Sequence, residues 1–195
     1  MPFSPKDEKS IHESVKRSNV VINLIGKDNA THHVTGDVNY SLEETLVNVP
    51  RRVARIAKKA GVSSFIHVSA LAANPNSSSE WSRLKAKGEE AVRAEFPEAI
   101  IVRPATIFGH EDKFLNRVAL ALEHAPFIPM LKNGVNKVQP VNVCDVSSAI
   151  HLIMMVCGRF HLSTLILLLL SRIVMSSVAA RLSSPVLMCI PIVKL

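Results

Sequence analysis

The chain has 195 residues, enough for one domain with a real core, and its 48% hydrophobic and 20% charged residues exclude a disordered chain. The formal net charge of +7 is spread along helical segments with acidic residues interleaved, as in Glu89, Glu90 and Arg93, and there is one Trp and one Tyr. A nucleic-acid partner that stacks bases on aromatics is therefore not expected.

The N-terminal stretch MPFSPKDEKSIHESVKRS carries charges and no apolar run, so it reads as neither a secretory signal nor a good transit peptide. Residues 10–18 predict a short helix, with Ile11 and Val15 one turn apart. SNVVINLIG, residues 18–26, packs five apolar residues into seven positions and predicts a buried strand of the parallel-sheet kind. Residues 27–40 read as a polar loop. The pair His32-His33 in it has no third ligand in view, so no metal site is expected. Ser41 with Glu44 three residues on forms a capping box, followed by apolar residues at helical spacing to Lys59 and a stop at Gly61. Pro50 either kinks this helix or marks its true first turn. Its basic run, Arg51, Arg52, Arg55, Lys58 and Lys59, is a solvated face or a surface for a partner or anionic headgroups.

SSFIHVSAL, residues 63–71, predicts a second buried strand, residues 72–79 a loop, and residues 80–95 a helix closed by Pro97. AIIVRPATIFG, residues 99–109, predicts a third strand running into a loop at Pro104. Residues 112–124 follow as a helix with Phe114, Leu115, Val118 and Leu122 on one face. KVQPVNVCDV, residues 137–146, reads as an edge strand because of Pro140, and Asp145 as the cap of a helix running through Met155. Alternating strands and helices of this kind predict an α/β fold with a parallel sheet.

From residue 146 onward there is no Asp or Glu, and residues 157–195 read as a divergent apolar tail. Its longest unbroken apolar run, Leu165–Leu170, is short of the roughly 20 residues a span requires. Cys144, Cys157 and Cys189 show no C-x-x-C spacing, which points to a reducing compartment rather than a disulfide framework or a zinc site.

The segments NLIG, HVSA and VRPATIFG, with a W-x-x-x-K helix between the last two, resemble the extended, atypical short-chain dehydrogenase/reductase superfamily. The stretches NSSSEWSRLKAKGEEAVRAEFPEAIIVRPATIFGHEDKFLN and VQPVNVCDVSSAI resemble, within it, the nucleotide-binding accessory subunits of mitochondrial respiratory complex I. The resemblance spans residues 10–155. It implies NADP(H) or NAD(H) as cofactor, with Asn23, Leu24, Ile25 and Gly26 lining it. It also implies Ser69 beneath the nicotinamide, Lys85 on the ribose, and Pro104, Ala105, Thr106 and Ile107 at the nicotinamide end. Implied partners are other complex I subunits, on the matrix side of the mitochondrial inner membrane and at most peripheral to it. An NAD(P)-dependent epimerase, dehydratase or reductase is the alternative, and a truncated chain that does neither is a third.

Two departures shape the expectation. No G-x-G-x-x-G occurs in the sequence, and on the family layout the first three strands would precede residue 10. The expected architecture is thus a partial Rossmann-like parallel sheet flanked by helices, with the N-terminal strands missing: a truncated domain over residues 1–156, then the tail. The second departure is Trp81. The family's helix carries Tyr at this place, four residues before the Lys, and the phenol exchanges the substrate proton. An indole N–H has no titratable proton in a useful range. The sequence therefore offers no catalytic acid/base, and Trp81 is otherwise a partly buried packing residue. Ser69 can equally be a strand-end serine bonding its own loop, Lys85 a solvated helix lysine and His67 a core histidine.

Overall fold

Val20, Val21 and Ile22 extend the chain because β-branched side chains fit a pleated, buried surface. They open β1 (Val20–Asn23), which pairs in parallel with β2 (Ser64–Val68), which pairs in parallel with β3 (Ile100–Val102). The register sets Asn23 beside His67, and His67 beside Ile101. The computed structural model describes residues 5–27, 40–124, 135 and 138–159, in two units: the described residues up to Arg103 with Cys157–Arg159, and those from Pro104 to Val156. Among the described residues β1 ends the sheet.

The first unit carries the core. Helices α1 (Glu8–Val15), α2 (Val49–Lys59) and α3 (Glu80–Glu95) flank the sheet. Ile11, Val15, Val53, Ala54, Ala57, Phe65, Val92 and Phe96 lie within one buried cluster. The Phe65 and Phe96 rings stack with centroids 5.7 Å apart. Burying each large apolar side chain stabilises by about 1.5–3 kcal/mol, so this cluster holds the helices on the sheet.

The start of α2 shows both the strength and the limit of local rules. Ser41 Oγ accepts the Glu44 N–H at 3.0 Å, one half of a capping box. The other half is absent: the Glu44 carboxylate instead takes the Asn48 amide at 2.7 Å and Arg52 at 3.2 Å. A π-helical turn, Glu44–Asn48, precedes α2, and Pro50 falls in the first turn of the regular helix. Proline has no N–H to give the Leu46 carbonyl, and the wider π-helical turn stands where that bond is missing. Leu46 and Val47 are buried in this turn, against α3.

The end of α2 is set by Gly61 at φ +76°, with its N–H on the Lys58 carbonyl and that of Val62 on Ala57. A Cβ in this left-handed conformation is strained, so Gly61→Ala should cost about 1 kcal/mol in urea denaturation although nothing lies within 4 Å of the added atom. An unchanged midpoint would show that the turn relaxes freely.

The basic face of α2 is largely neutralised within the fold. Arg51 pairs with Glu95, Arg52 with Glu44, Arg55 with Glu8 and Lys58 with Glu98. These cations tie α2 to α1, to α3 and to its own leading turn, and their fields are compensated at short range.

The strand expected in 99–109 ends where the expected loop at Pro104 begins, and the second unit then adds a short strand that the sequence reading did not foresee. β3 stops at Val102, and the Arg103-Pro104 step interrupts the ladder, since proline cannot donate to it. The chain extends again as β4 (Ile107–Phe108), which pairs in parallel with β5 (Val141–Asn142) in a separate sheet. Pro140 sits just before β5. Helix α4 (Leu115–His124) begins at the Asp112 carboxylate, which accepts the N–H groups of Phe114 at 2.7 Å and Leu115 at 2.5 Å. Backbone donors, Gly109 first, hold that carboxyl below its usual range. Leu115, Val118 and Leu122 of the apolar face are exposed. Helix α5 (Val143–Arg159) is capped by Asn142, whose Oδ1 accepts the Cys144 N–H at 2.8 Å. Asp145 is therefore not the cap; it lies within the first turn, where a carboxylate still meets the positive end of the helix.

The predicted loop with His32-His33 and the apolar tail beyond residue 159 lie outside the described residues. Among the described residues no helix is long and apolar enough to cross a membrane, and no three potential ligands gather for a metal ion.

Candidate functional site

The carboxyl ends of β1 and β2 and the first half of α3 bring the chemistry-bearing residues of the first unit together. Parallel strands place such residues at one edge because every chain leaves the sheet in the same direction, and open α/β sheets bind ligands beyond that edge.

Asn23 closes β1 and is 3% exposed. Its Oδ1 accepts the Ile25 N–H at 3.3 Å and its Nδ2 donates to His67 Nδ1 at 2.9 Å. That donation leaves the His67 proton on Nε2. The Asn23 amide is thus committed to holding the turn after β1 and the neighbouring strand. Gly26 is exposed at the end of that turn, and Leu24 points to solvent while Ile25 packs on the core.

His67 is buried, the core histidine of the sequence reading. Burial first, and the nearby Lys85 cation second, push its pKa down to about 4. The folded state thus resists a proton that the unfolded chain accepts near pH 6.5. The stabilisation is full above the unfolded value and is lost as the pH falls towards the folded one. Relative to a His67→Gln variant, which cannot titrate, the parent should lose about 2 kcal/mol of urea stability between about pH 7 and pH 5. Parallel pH dependences of parent and variant would show that the imidazole takes its proton without cost.

Lys85 comes from α3 and is 8% exposed, so it is not the solvated helix lysine of the bland reading. Its Nζ lies 3.6 Å from where a Cβ on Gly26 would sit. Trp81, one turn earlier on the same face, has its ring centroid 5.6 Å from that ammonium and donates its Nε1–H to the Lys27 carbonyl at 2.9 Å. Lys27 Nζ in turn donates to the Tyr40 carbonyl at 3.1 Å. Ser69 follows β2 directly, is 5% exposed, and its Oγ has no hydrogen-bond partner among the described residues. A buried hydroxyl left unsatisfied costs about 1–3 kcal/mol.

Of the residues singled out from sequence, Asn23, Leu24, Ile25, Gly26, Ser69 and Lys85 thus belong to the first unit, with Gly26 and Lys85 in direct proximity. Pro104, Ala105, Thr106 and Ile107 belong to the second, where the Thr106 carbonyl accepts the Val141 N–H at 2.9 Å. Sequence reasoning missed Glu89 and Arg103. Glu89 is 3% exposed and takes Arg103 in a two-pronged pair, Nε at 2.9 Å and Nη2 at 2.5 Å. The signal was available: Trp81, Lys85 and Glu89 recur every fourth residue and so share one stripe of α3.

A dinucleotide's nicotinamide–ribose half fits this donor set. An ammonium beside a bare glycine matches the hydroxyls of a ribose. The pyrophosphate half has no counterpart, since the 195 residues hold no Gly-rich turn of the kind that cradles it.

Parallel strands with flanking helices define an α/β, Rossmann-like fold. The dTDP-glucose 4,6-dehydratase DesIV of Streptomyces venezuelae, solved as a double mutant with NAD bound, superposes with a TM-score of 0.62 at 18% identity, over 77% of this chain and 52% of that one. The chain is homologous to the proteins named NADH dehydrogenase (ubiquinone) 1 alpha subcomplex subunit 9, mitochondrial. It is 46% identical to that of Mus musculus over 153 residues, which cover 77% of this chain and 38% of the relative. It is 41% identical to that of Arabidopsis thaliana over 151 residues, covering 77% of this chain and 36% of the relative. The chain therefore spans less than two-fifths of the length of these relatives. No family model matches it.

Proposed function

We propose that the chain serves as an accessory, non-catalytic subunit of mitochondrial NADH:ubiquinone oxidoreductase, holding NADP(H) or NAD(H) and supporting assembly or stability. Its partners are the other subunits of that complex, on the matrix side of the inner membrane, and its contact with the membrane is peripheral. The homology to alpha subcomplex subunit 9 supports the assembly. The observation that carries the non-catalytic part is Trp81, which stands one turn from Lys85 and has no proton to exchange.

In this reading Lys85 holds the ribose hydroxyls, and the Ser69 hydroxyl meets the nicotinamide side. Bound dinucleotide supplies hydride chemistry only where a proton donor stands beside it, and this site offers a buried imidazole already committed to Asn23 instead. The test is a native gel of mitochondrial membranes carrying a tagged chain. Co-migration with the assembled respiratory complex is expected; migration as a free species would refute the subunit reading. Turnover of NADPH with a carbonyl substrate would instead favour the alternative, a reductase or dehydratase.

A further inference from the structure

We infer that Trp81 is a positioning residue for Lys85: it fixes the ammonium over Gly26 so that the lysine meets the ribose hydroxyls of a dinucleotide already oriented. This rests on the nucleotide-holding reading above and adds to it what the tryptophan does.

The geometry supplies three links. The indole Nε1–H is tied to the Lys27 carbonyl at 2.9 Å, the residue directly after Gly26. The Lys85 ammonium lies 5.6 Å from the ring centroid, within reach of a cation–π attraction. And that ammonium is 3.6 Å from the position of a Gly26 Cβ, against the turn that the indole anchors. Trp81 thus joins the lysine and the end of β1 into one assembly, with its own backbone fixed in the first turn of α3.

Charged and polar groups also surround Lys85, and the ring acts beside them. On its own helix the Glu89 carboxylate is taken from two sides by Arg103. From β2 the neighbour is His67, whose Nδ1 faces Asn23. A lysine stem has four rotatable bonds, and ordering it on binding carries an entropic cost; a partner that orders it beforehand removes part of that cost. Cation–π attraction is strongest where the cation is shielded from water, and Lys85 is 8% exposed. A leucine would fill space but hold no cation, whereas phenylalanine would keep a π-face and lose only the tie to Lys27.

The test uses the 195-residue chain, NADPH as the probe, and two readouts. The first needs no ligand: the Lys85 ε-methylene resonance, assigned with a Lys85→Met variant, should be shifted upfield by the Trp81 ring. It should return to the ordinary lysine position in Trp81→Leu and stay partly shifted in Trp81→Phe. The second is NADPH affinity by calorimetry. Lys85→Met and Trp81→Leu should each weaken binding roughly tenfold, Trp81→Phe less, and the double Trp81→Leu, Lys85→Met variant no more than Lys85→Met alone.

Unchanged affinity in Trp81→Leu, with Lys85→Met weakened, overturns the positioning role and leaves the nucleotide reading standing. Unchanged affinity in Lys85→Met, or no binding by the parent, sinks the nucleotide reading. In that case the ε-methylene shift alone still decides whether the indole holds the lysine. If Trp81→Leu does not fold cooperatively, Trp81→Phe decides, because it keeps the ring volume in place.

Discussion

Gly88→Val should destabilise the chain by about 3 kcal/mol or more, the largest effect expected of any single substitution in α3. A Cβ built on Gly88 comes 2.2 Å from the Leu46 carbonyl oxygen and 3.3 Å from its carbon. Both are backbone atoms of the π-helical turn, so no side chain can swing away to make room. The close approach has a local cause. Pro50 cannot donate to that carbonyl, the turn widens, and the carbonyl stands against α3 where only a glycine leaves space. Glycine inside a helix otherwise costs about 1 kcal/mol relative to alanine, so Gly88→Ala carries a helix-propensity gain that offsets only part of the clash. Urea midpoints of parent, Ala and Val variants should fall in that order. An alanine variant as stable as the parent would mean that the two helices separate freely.

The second large effect is asymmetric. Arg103→Met should cost about 3 kcal/mol, whereas Glu89→Gln should cost about 1 kcal/mol. The side chains of the pair are unequally placed: Arg103 is 41% exposed and Glu89 is 5% exposed. Removing the arginine strands a buried carboxylate without its two-pronged partner. Removing the carboxylate charge leaves an arginine that water can solvate. The pair's hydrogen bonds also raise the Arg103 pKa above its ordinary value, so its charge is not at issue near neutrality. Equal losses for the two variants in urea denaturation would show that the pair is worth its contacts alone and that Glu89 is hydrated in the fold.

Much of the fold was legible because it rests on short-range signals. The three strands of the first sheet, α3 and the Gly61 stop follow from apolar runs, Pro97 and a glycine at a helix end, and these signals act within a few residues. The misreadings came where the outcome depends on geometry beyond the local pattern. The loop at Pro104 was foreseen, but not that Ile107–Phe108 extend again and join another sheet. Asp145 has the right chemistry for a cap, but Asn142 stands where the helix begins. The basic face of α2 cannot be told from a partner surface by sequence, because its carboxylates come from Glu8, Glu95 and Glu98, far along the chain.

The site was legible in part. Trp81 and Lys85 are found by their four-residue spacing, and the structure places both where the spacing implies, on one face of α3. The link from the indole to the Lys27 carbonyl joins residues 54 positions apart, and the Asn23–His67 bond joins residues 44 apart. Neither has a local signature. The orphaned Ser69 hydroxyl appears only once burial is known.

The central claim is that this site holds a nicotinamide nucleotide without consuming it. The single tryptophan of the chain lies beside the proposed ribose contact, so its emission reports directly on occupancy. NADPH should be titrated in while Trp81 emission and reduced-nicotinamide absorbance are followed together, with and without candidate carbonyl substrates. The account predicts saturable quenching, with a midpoint moved to roughly tenfold higher NADPH by Lys85→Met, and an absorbance that stays constant. A steady Lys85-dependent loss of the reduced form, or no quenching at any NADPH concentration, would contradict it.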